Sequence, residues 1–260
     1  MGGQASGLLE AVRQIVLESG KLIVEASRKP KQLRAKGRID LVTDTDLAVE
    51  EFLAERLLKL YPEADCLAEE GTPQQRLGRA TWVIDPLDGT TNFAHSLPFV
   101  ATSLALWRDN RVELGVVNLP LLGECYWAEL GQGAFCNGAR LSVSRTPELD
   151  QALLATGFPY NITEVLPVVV ERLTKALHHC QGVRRCGAAA MDLAYTAAGR
   201  FDCFYEEGLK PWDMAAGALL IREAGGLVTR LDGSVFSLEF ADILTANPAL
   251  HAKLLEVFRN

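Results

Sequence analysis

Residues 82–93 read WVIDPLDGTTNF, and this stretch changes character in its middle. The apolar residues around 81–84 predict a short strand that leads directly into Asp85. Pro86 has no amide hydrogen to donate to a neighbouring strand, so we expect the strand to stop there. The stretch therefore predicts a carboxylate that is placed at the end of an apolar strand.

A second carboxylate, Asp88, follows three residues after the first. Two carboxylates so close repel each other at neutral pH unless a cation lies between them. Mg²⁺ takes oxygen ligands, often one or two carboxylates together with a substrate phosphate. Gly89 permits a tight backbone approach, and the amides and hydroxyls of Thr90 and Thr91 suit a helix N-terminus that receives an anion. The stretch indicates adjoining metal and phosphate sites, the alternative being a plain turn.

The chain on either side of this stretch predicts a mixed α/β architecture. Apolar residues at helical spacing predict helices over 7–28 and 46–60. Strand-like runs at 100–107, 112–119 and 124–130 are separated by turn signals, which favours antiparallel neighbours. Further along, the predicted strands are 152–156, 182–185, 201–205, 227–229 and 243–246, and the predicted helices are 161–179, 188–198, 211–224 and one that begins near 248. The pattern is typical of mixed sheet with helices on both sides.

The composition limits the possible partners. The 260 residues are 48% hydrophobic and 23% charged, which suits one large domain or two closely packed halves, roughly 1–145 and 146–260. The net charge of −7 repels nucleic acid and anionic membranes, so we expect neither as a partner. It also repels a phosphorylated substrate unless bound cations reverse the field locally. The cysteine spacing suggests no zinc site and no signal peptide is visible, so we expect a cytoplasmic protein.

Other acids occupy unusual positions along the chain. Glu69 and Glu70 end the short apolar stretch 65–68, and Asp213 stands in the first turn of a helix rich in small residues. Asp46 lies at the start of the second predicted helix. Each has a plainer explanation, since an aspartate at a helix start is commonly a cap and is favoured by the helix dipole. Taken singly, these residues leave both interpretations open.

Taken in order, the acidic motifs resemble those of the inositol monophosphatase family. The motifs are DLVTDTD at 40–46, the pair Glu69-Glu70, DPLDGTTNF at 85–93 and WDMAAG at 212–217. This family belongs to a wider group of lithium-sensitive, Mg²⁺-dependent phosphatases that includes fructose-1,6-bisphosphatases and nucleotide 3′-phosphatases. The resemblance covers nearly the whole chain. It implies one catalytic domain over 1–260, folded as an α/β five-layer αβαβα sandwich and usually assembled as a homodimer.

The resemblance also implies a site for up to three Mg²⁺ ions. Glu69, Asp85 and the backbone carbonyl of Leu87 would hold the first ion. The second ion would be held by Asp85, Asp88 and Asp213. A weaker third ion would depend on Glu69. The three aspartates that each have a plain explanation would therefore form one metal centre.

The resemblance further implies how the water is activated. It places Asp46 beside Thr90, whose hydroxyl would act with Glu69 to orient and deprotonate the attacking water. The backbone amides of Gly89 and Thr90 would hold the phosphate. Metal ions can acidify a bound water and clamp the attacking and leaving oxygens, so we expect no covalent nucleophile.

Two residues match positions that line the alcohol pocket in the family. Glu206 would bind hydroxyls of an inositol ring, the alternative being a solvated acid in a turn-like stretch. Ala189 would line the same pocket. For Arg184 and Arg185 we expect contact with solvent, the alternative being contact with a second phosphate.

The substrate expectation follows from these positions. Inositol 1-phosphate, a small phosphorylated polyol, is the leading candidate. Histidinol phosphate, fructose 1,6-bisphosphate and a nucleotide 3′-phosphate are the alternatives, because the metal chemistry does not depend on the alcohol. A remote alternative from another class is a non-catalytic scaffold that retains the fold, and the complete set of site acids speaks against it.

Overall fold

A computed structural model describes residues 6–29, 33–35, 41–71 and 76–259. The strands are β1 (Leu33–Ala35), β2 (Leu41–Thr43), β3 (Asp65–Ala68), β4 (Ala80–Asp88), β5 (Ala101–Arg108), β6 (Arg111–Leu119), β7 (Glu124–Glu129), β8 (Gly133–Cys136), β9 (Ala139–Arg140), β10 (Leu153–Thr156), β11 (Gly182–Arg184), β12 (Cys203–Glu207), β13 (Leu227–Thr229) and β14 (Asp242–Ala246). The helices are α1 (Gly7–Ser27), α2 (Asp44–Leu60), α3 (Thr90–Ala94), α4 (Ile162–His179), α5 (Ala189–Ala197), α6 (Pro211–Glu223) and α7 (Pro248–Arg259).

Two sheets organise these elements. The larger sheet has seven strands in the order β3-β4-β5-β6-β7-β8-β9, and only β3 with β4 runs parallel. The smaller sheet has five strands in the order β11-β10-β12-β14-β13. There β10 is parallel to both β11 and β12, and β14 is antiparallel to both of its neighbours. The predicted antiparallel arrangement of 100–130 is confirmed.

Helices separate and cover the two sheets in five layers. The apolar faces of α1 and α2 form one core with the outer face of the seven-stranded sheet. Helices α5 and α6 lie between the sheets in the largest core, while α4 and α7 cover the other face of the five-stranded sheet. Small residues allow the central layer to pack closely, since a Cβ on Gly115 would lie 2.9 Å from Cα of Ala216. The predicted αβαβα sandwich is confirmed.

A correction to the predicted strands concerns Pro86. We expected the strand to stop at this residue, but β4 continues to Asp88. The pairing of β4 with β5 shifts register between Asp85 and Asp88, which is where a residue without an amide hydrogen can be accommodated. Thr102 stabilises this irregular pairing, because its hydroxyl donates a hydrogen bond of 3.0 Å to the carbonyl of Pro86. The proline bends the strand end and does not terminate it.

Two further expectations concern the chain as a whole. The seven-stranded sheet ends at Arg140 and the first strand of the other sheet begins at Leu153. Helices α5 and α6 belong to the later part of the sequence but pack on β5 and β6 of the earlier part. The division of the chain into two halves near residue 145 therefore stays a prediction. Within the described ranges, no helix combines the length and apolar character needed to cross a bilayer.

Candidate active site

A cleft of about 270 Å³ opens where the β4 strand end meets α5, α6 and β12. Nine of the ten residues predicted for the site line this cleft, and the tenth, Asp46, hydrogen-bonds to one of them. The nine are Glu69, Asp85, Leu87, Asp88, Gly89, Thr90, Ala189, Glu206 and Asp213. The structure therefore brings together residues that are up to 144 positions apart in the sequence.

The irregular end of β4 shapes the first part of the cleft. Asp85 is buried, with 1% of its surface exposed, and one of its oxygens accepts a 3.0 Å hydrogen bond from the amide of Leu87. The side chain of Leu87 is fully buried, while its carbonyl accepts a hydrogen bond from the Thr90 hydroxyl at 3.1 Å. The local backbone thus fixes both a carboxylate and a carbonyl at the cleft wall.

Gly89 forms the turn from this strand into α3. Its φ of +87° lies in the left-handed region, where a residue with a side chain is strained. A Cβ there would also lie 2.6 Å from the carbonyl oxygen of Phe99. The first amides of α3 have no acceptor within the helix, so they are available to an anion in the cleft. The predicted helix N-terminus at this position is confirmed.

Asp46 connects α2 to the start of α3. One of its oxygens accepts a 2.9 Å hydrogen bond from the Thr90 hydroxyl, and the other accepts from the backbone amide of Thr43 at 2.8 Å and from the Thr43 hydroxyl. Asp46 therefore caps α2 and also lies beside Thr90, where the family resemblance placed it; its role in orienting water stays a prediction. Burial raises its pKa. Asp40, where the matching motif begins, lies outside the described residues.

Two backbone amides of the second half hold the remaining aspartates. The amide of Ala190 donates a 2.7 Å hydrogen bond to Asp88, and the amide of Lys210 donates one of 2.7 Å to Asp213. The second bond is a helix cap, so the plain interpretation of Asp213 also holds. Because Ala190 lies in the first turn of α5, Asp88 is positioned by a helix that lies between the two sheets.

Electrostatics in the cleft favours a cation. Burial, followed by the charges of Glu69, Asp88 and Asp213, raises the pKa of Asp85 well above its usual range. Burial, chiefly, raises the pKa of both Asp88 and Asp213 to about 7. Four carboxyl groups so arranged resist ionising together, and a bound divalent cation would relieve this repulsion.

The donor set fits Mg²⁺. The acids and the Leu87 carbonyl offer only oxygen atoms, which are the ligands that this hard cation takes. Mg²⁺ also keeps several waters, and so does not need a closed protein cage. Within the described part of the chain, no three acidic, histidine or cysteine side chains form a ready-made coordination cluster. Assignment of individual ions to individual residues therefore stays a prediction.

Glu206 lies inside β12, opposite Ile243, and not in a solvated turn. Alternation along the strand places Glu206 on the same face as Phe204, toward the central layer. The residue is 9% exposed, and its carboxyl group packs against Gly157, where a Cβ would lie 2.1 Å from a Glu206 oxygen. Burial, followed by the charge of Asp192, raises its pKa well above the usual range.

Arg185 and Asp192 line the cleft but were not among the predicted site residues. Arg184 and Arg185 are both exposed, as expected, and Arg185 also borders the cleft. The guanidinium carbon of Arg185 lies 5.5 Å from the ring centre of Phe158, another lining residue. Asp192 on α5 also lines the cleft, although only 1% of it is exposed. Its sequence signal is an acid within a helix of small apolar residues.

Comparison with known sequences gives a consistent result. A sequence model of the inositol monophosphatase family matches residues 5–260. The chain is 42% identical to the chloroplastic phosphatase IMPL1 of Arabidopsis thaliana, with 96% of this chain and 69% of that protein covered. It is 41% identical to Nus factor SuhB of Escherichia coli, with 94% and 92% covered. It is also 41% identical to inositol-1-monophosphatase of Caulobacter vibrioides, with 88% and 91% covered.

Solved structures show the same likeness. The extragenic suppressor protein suhB of Bartonella henselae superposes with a TM-score of 0.92 at 34% identity, covering 98% of this chain and 99% of that one. The IMPase of Thermotoga maritima superposes with a TM-score of 0.88 at 32% identity, covering 96% of each chain. Both similarities extend over both sheets.

Proposed function

The chain belongs to the inositol monophosphatase family, and from this we propose that it releases phosphate from a small phosphorylated polyol in a Mg²⁺-dependent reaction. Inositol 1-phosphate is the leading substrate. The observation that carries the proposal is one cleft that combines carboxyl groups that repel one another, a helix N-terminus and the Thr90–Asp46 hydrogen bond of 2.9 Å. The three features match the needs of phosphate-ester hydrolysis, which are charge neutralisation, anion binding and an oriented water.

Four acids and one carbonyl would hold the cofactor. Glu69, Asp85, Asp88, Asp213 and the Leu87 carbonyl are the oxygen donors, for up to three Mg²⁺ ions. When bound, Mg²⁺ supplies positive charge to the phosphate and leaving oxygens and acidifies water. The same acids, without a cation, would repel the substrate.

Thr90 and Asp46 would handle the proton of the attacking water. The single hydroxyl proton of Thr90 is directed to Asp46 and to the Leu87 carbonyl, which leaves lone pairs of Oγ1 to accept a hydrogen bond from water. Burial raises the pKa of Asp46, which makes its carboxylate a stronger base. A proton can therefore pass from water through Thr90 Oγ1 to Asp46. Glu69 is the second acid that we propose helps to deprotonate this water.

The phosphate and the alcohol would be bound by different elements. The amides of Gly89 and Thr90 at the start of α3 would hold phosphate oxygens, where the helix dipole favours negative charge. Glu206 would accept hydrogen bonds from hydroxyls of the alcohol, and Ala189, buried at the start of α5, would form part of the pocket wall.

Several finer expectations accompany this proposal. Histidinol phosphate, fructose 1,6-bisphosphate and a nucleotide 3′-phosphate are the alternative substrates, and a non-catalytic scaffold is the alternative from another class. Lithium inhibition and a homodimer follow from the family. A net charge of −7 predicts no nucleic-acid partner, and this stays a prediction because a relative at 41% identity bears the name Nus factor SuhB.

Phosphate release from a panel of monoesters, with and without Mg²⁺, tests the proposal. We expect Mg²⁺-dependent turnover with a preference for inositol 1-phosphate, and its loss in Asp88→Asn. The matched control is Asp202→Asn, which alters a buried acid outside the cleft whose oxygen accepts from the Leu153 amide at 2.7 Å. Equal activity of Asp88→Asn and wild type would refute the site, and absence of turnover on every ester would favour the scaffold.

A further inference from the structure

Asp192 is a buried acid of the cleft wall that the proposed proton and phosphate chemistry does not use. Only 1% of its surface is exposed, and within the described residues its Oδ1 has no hydrogen-bond partner. The carboxyl group contacts the thiol of Cys186, which donates a hydrogen bond to it. Native proteins keep few buried oxygens unpaired, so such an atom at a cleft wall indicates a missing partner.

Arg185 lies at the same end of the cleft. Its guanidinium group is held against the ring of Phe158, and its positive charge opposes the rise in pKa of both Asp192 and Glu206. A Cβ at Gly187 would lie 2.6 Å from Arg185 Nη1, so the absent side chain leaves room for the guanidinium. One cation therefore stands close to two buried carboxyl groups.

The position of this group is fixed from two sides. The Asn92 side-chain amide, on α3, donates a 2.8 Å hydrogen bond to the carbonyl of Cys186. Cys186 in turn contacts Asp192 through its thiol. The wall of the cleft that carries Arg185 is thus connected to the helix that opens with the phosphate-binding amides.

We propose that Asp192 and Arg185 join Glu206 in a three-residue recognition site for the hydroxyl groups of the substrate's alcohol. This inference rests on the proposed function. It narrows the substrate class to phosphate esters whose alcohol is an uncharged polyol. Unlike Glu206, neither Asp192 nor Arg185 was expected to contact the alcohol.

Hydroxyl chemistry suits this set of groups. Each hydroxyl has one proton to donate and lone pairs to accept, so a ring with several hydroxyls pairs with carboxylate acceptors and a guanidinium donor together. The buried Oδ1 of Asp192 would gain a partner when such a ring enters. A second phosphate on the alcohol would instead meet two carboxyl groups, with a single guanidinium to offset them. The site therefore selects for a polyol and against a bisphosphate.

The first test compares esters in the Asp192→Asn variant, which keeps the side-chain shape. We expect KM for inositol 1-phosphate to rise about 10- to 100-fold, the range for loss of a hydrogen bond to a charged group. Turnover of p-nitrophenyl phosphate, which has no aliphatic hydroxyl, should change less than about 2-fold, since a hydrogen bond to the alcohol has no counterpart there. Discrimination against fructose 1,6-bisphosphate should also decrease, because one repelling charge is gone.

The control for Asp192→Asn lies one turn further along α5. The Thr196 hydroxyl donates a 2.8 Å hydrogen bond to the Asp192 carbonyl, and Thr196 does not line the cleft. Thr196→Val therefore perturbs the same helix without touching the recognition site, and we expect its KM values to match those of wild type. A KM for inositol 1-phosphate that rises equally in both variants would overturn the proposal.

Arg185→Gln provides a second test that does not depend on a buried substitution. We expect KM for inositol 1-phosphate to rise roughly 3- to 10-fold, as for loss of a single net hydrogen bond. The matched control is Arg184→Gln, because Arg184 is the neighbouring arginine that does not line the cleft, and its guanidinium bonds to the Val183 carbonyl at 3.2 Å. Unchanged KM in Arg185→Gln, or an equal change with p-nitrophenyl phosphate, would contradict the inference.

A binding titration separates this inference from the proposed function. Calorimetry with inositol 1-phosphate measures affinity even if no ester is hydrolysed, in which case the proposed activity fails and the recognition site is still tested. Weaker binding in Asp192→Asn and Arg185→Gln, but not in their controls, supports the inference. Turnover of p-nitrophenyl phosphate without any preference for inositol 1-phosphate confirms a phosphatase and overturns the recognition site.

Discussion

The phosphate end and the alcohol end of the cleft are built in different ways. Most of the phosphate end comes from one strand, one turn and one helix start, over residues 85–91. The alcohol end is assembled from β12, α5 and the segment around Arg185, which are separate in the sequence. The comparison teaches that most groups proposed for the reaction lie in one local motif, whereas the groups proposed to select the alcohol are brought together by packing between distant elements.

The largest expected effect tests whether the phosphate end acts on every substrate alike. Asp213→Asn removes a charge from the set of metal donors but keeps an oxygen that can accept from the Lys210 amide and so cap α6. We expect kcat/KM to fall about 10³-fold for every monoester, because a carboxylate that would hold the charge-stabilising Mg²⁺ is lost. Steady-state kinetics on esters with different alcohols checks this. A loss confined to polyol esters would erase the distinction between the two ends.

The next effect concerns the proton path within the phosphate end. Thr90→Val keeps the side-chain shape and removes the hydroxyl that bonds Asp46 at 2.9 Å. We expect kcat to fall about 10²-fold with little change in KM, as for loss of general-base assistance. Thr174→Val is the control, since the Thr174 hydroxyl bonds only within α4, to the Val170 carbonyl. A change in KM alone would assign Thr90 to binding and remove it from the proton path.

A smaller effect is expected from the alcohol end. In Gly157→Ala, the new Cβ would lie 2.1 Å from an oxygen of the Glu206 carboxylate, so the buried acid has to move. We expect KM for inositol 1-phosphate to rise about 10-fold, the value of one displaced charged hydrogen bond. Gly7→Ala, where a Cβ meets nothing within 4 Å, is the control. An equal loss on p-nitrophenyl phosphate would show that the two ends do not act separately.

The last effect is on stability and not on activity, in protein without metal. The pKa values of Asp88 and Asp213 rise from 3.8 to about 7 on folding, so the native state holds more protons than the unfolded state between these values. The free energy of unfolding should therefore fall as pH rises from about 4 to 7. Thermal unfolding across this range measures the slope, which should be shallower in Asp88→Asn. An increase in Tm over the same range would contradict the assigned burial.

The same contrast explains how much could be predicted from the sequence. The strand, the paired aspartates and the helix start were predictable, because their signals lie within 82–93. Pro86 was misinterpreted because the bulge that accommodates it depends on β5 as a partner. Arg185 and Asp192 were missed because no local pattern shows which face of a loop or a buried helix meets a cleft. Glu206 was assigned to the cleft only through the family resemblance.

The hydrogen bond between the Ala190 amide and Asp88 joins residues 102 positions apart and links α5 to the end of β4. Neither the part of the chain up to β9 nor the part from β10 onward therefore holds all the residues of the proposed site. We expect that a chain cut in the segment between β9 and β10 would give two fragments, neither of which releases phosphate by itself. Phosphate release would then report the association of the two fragments.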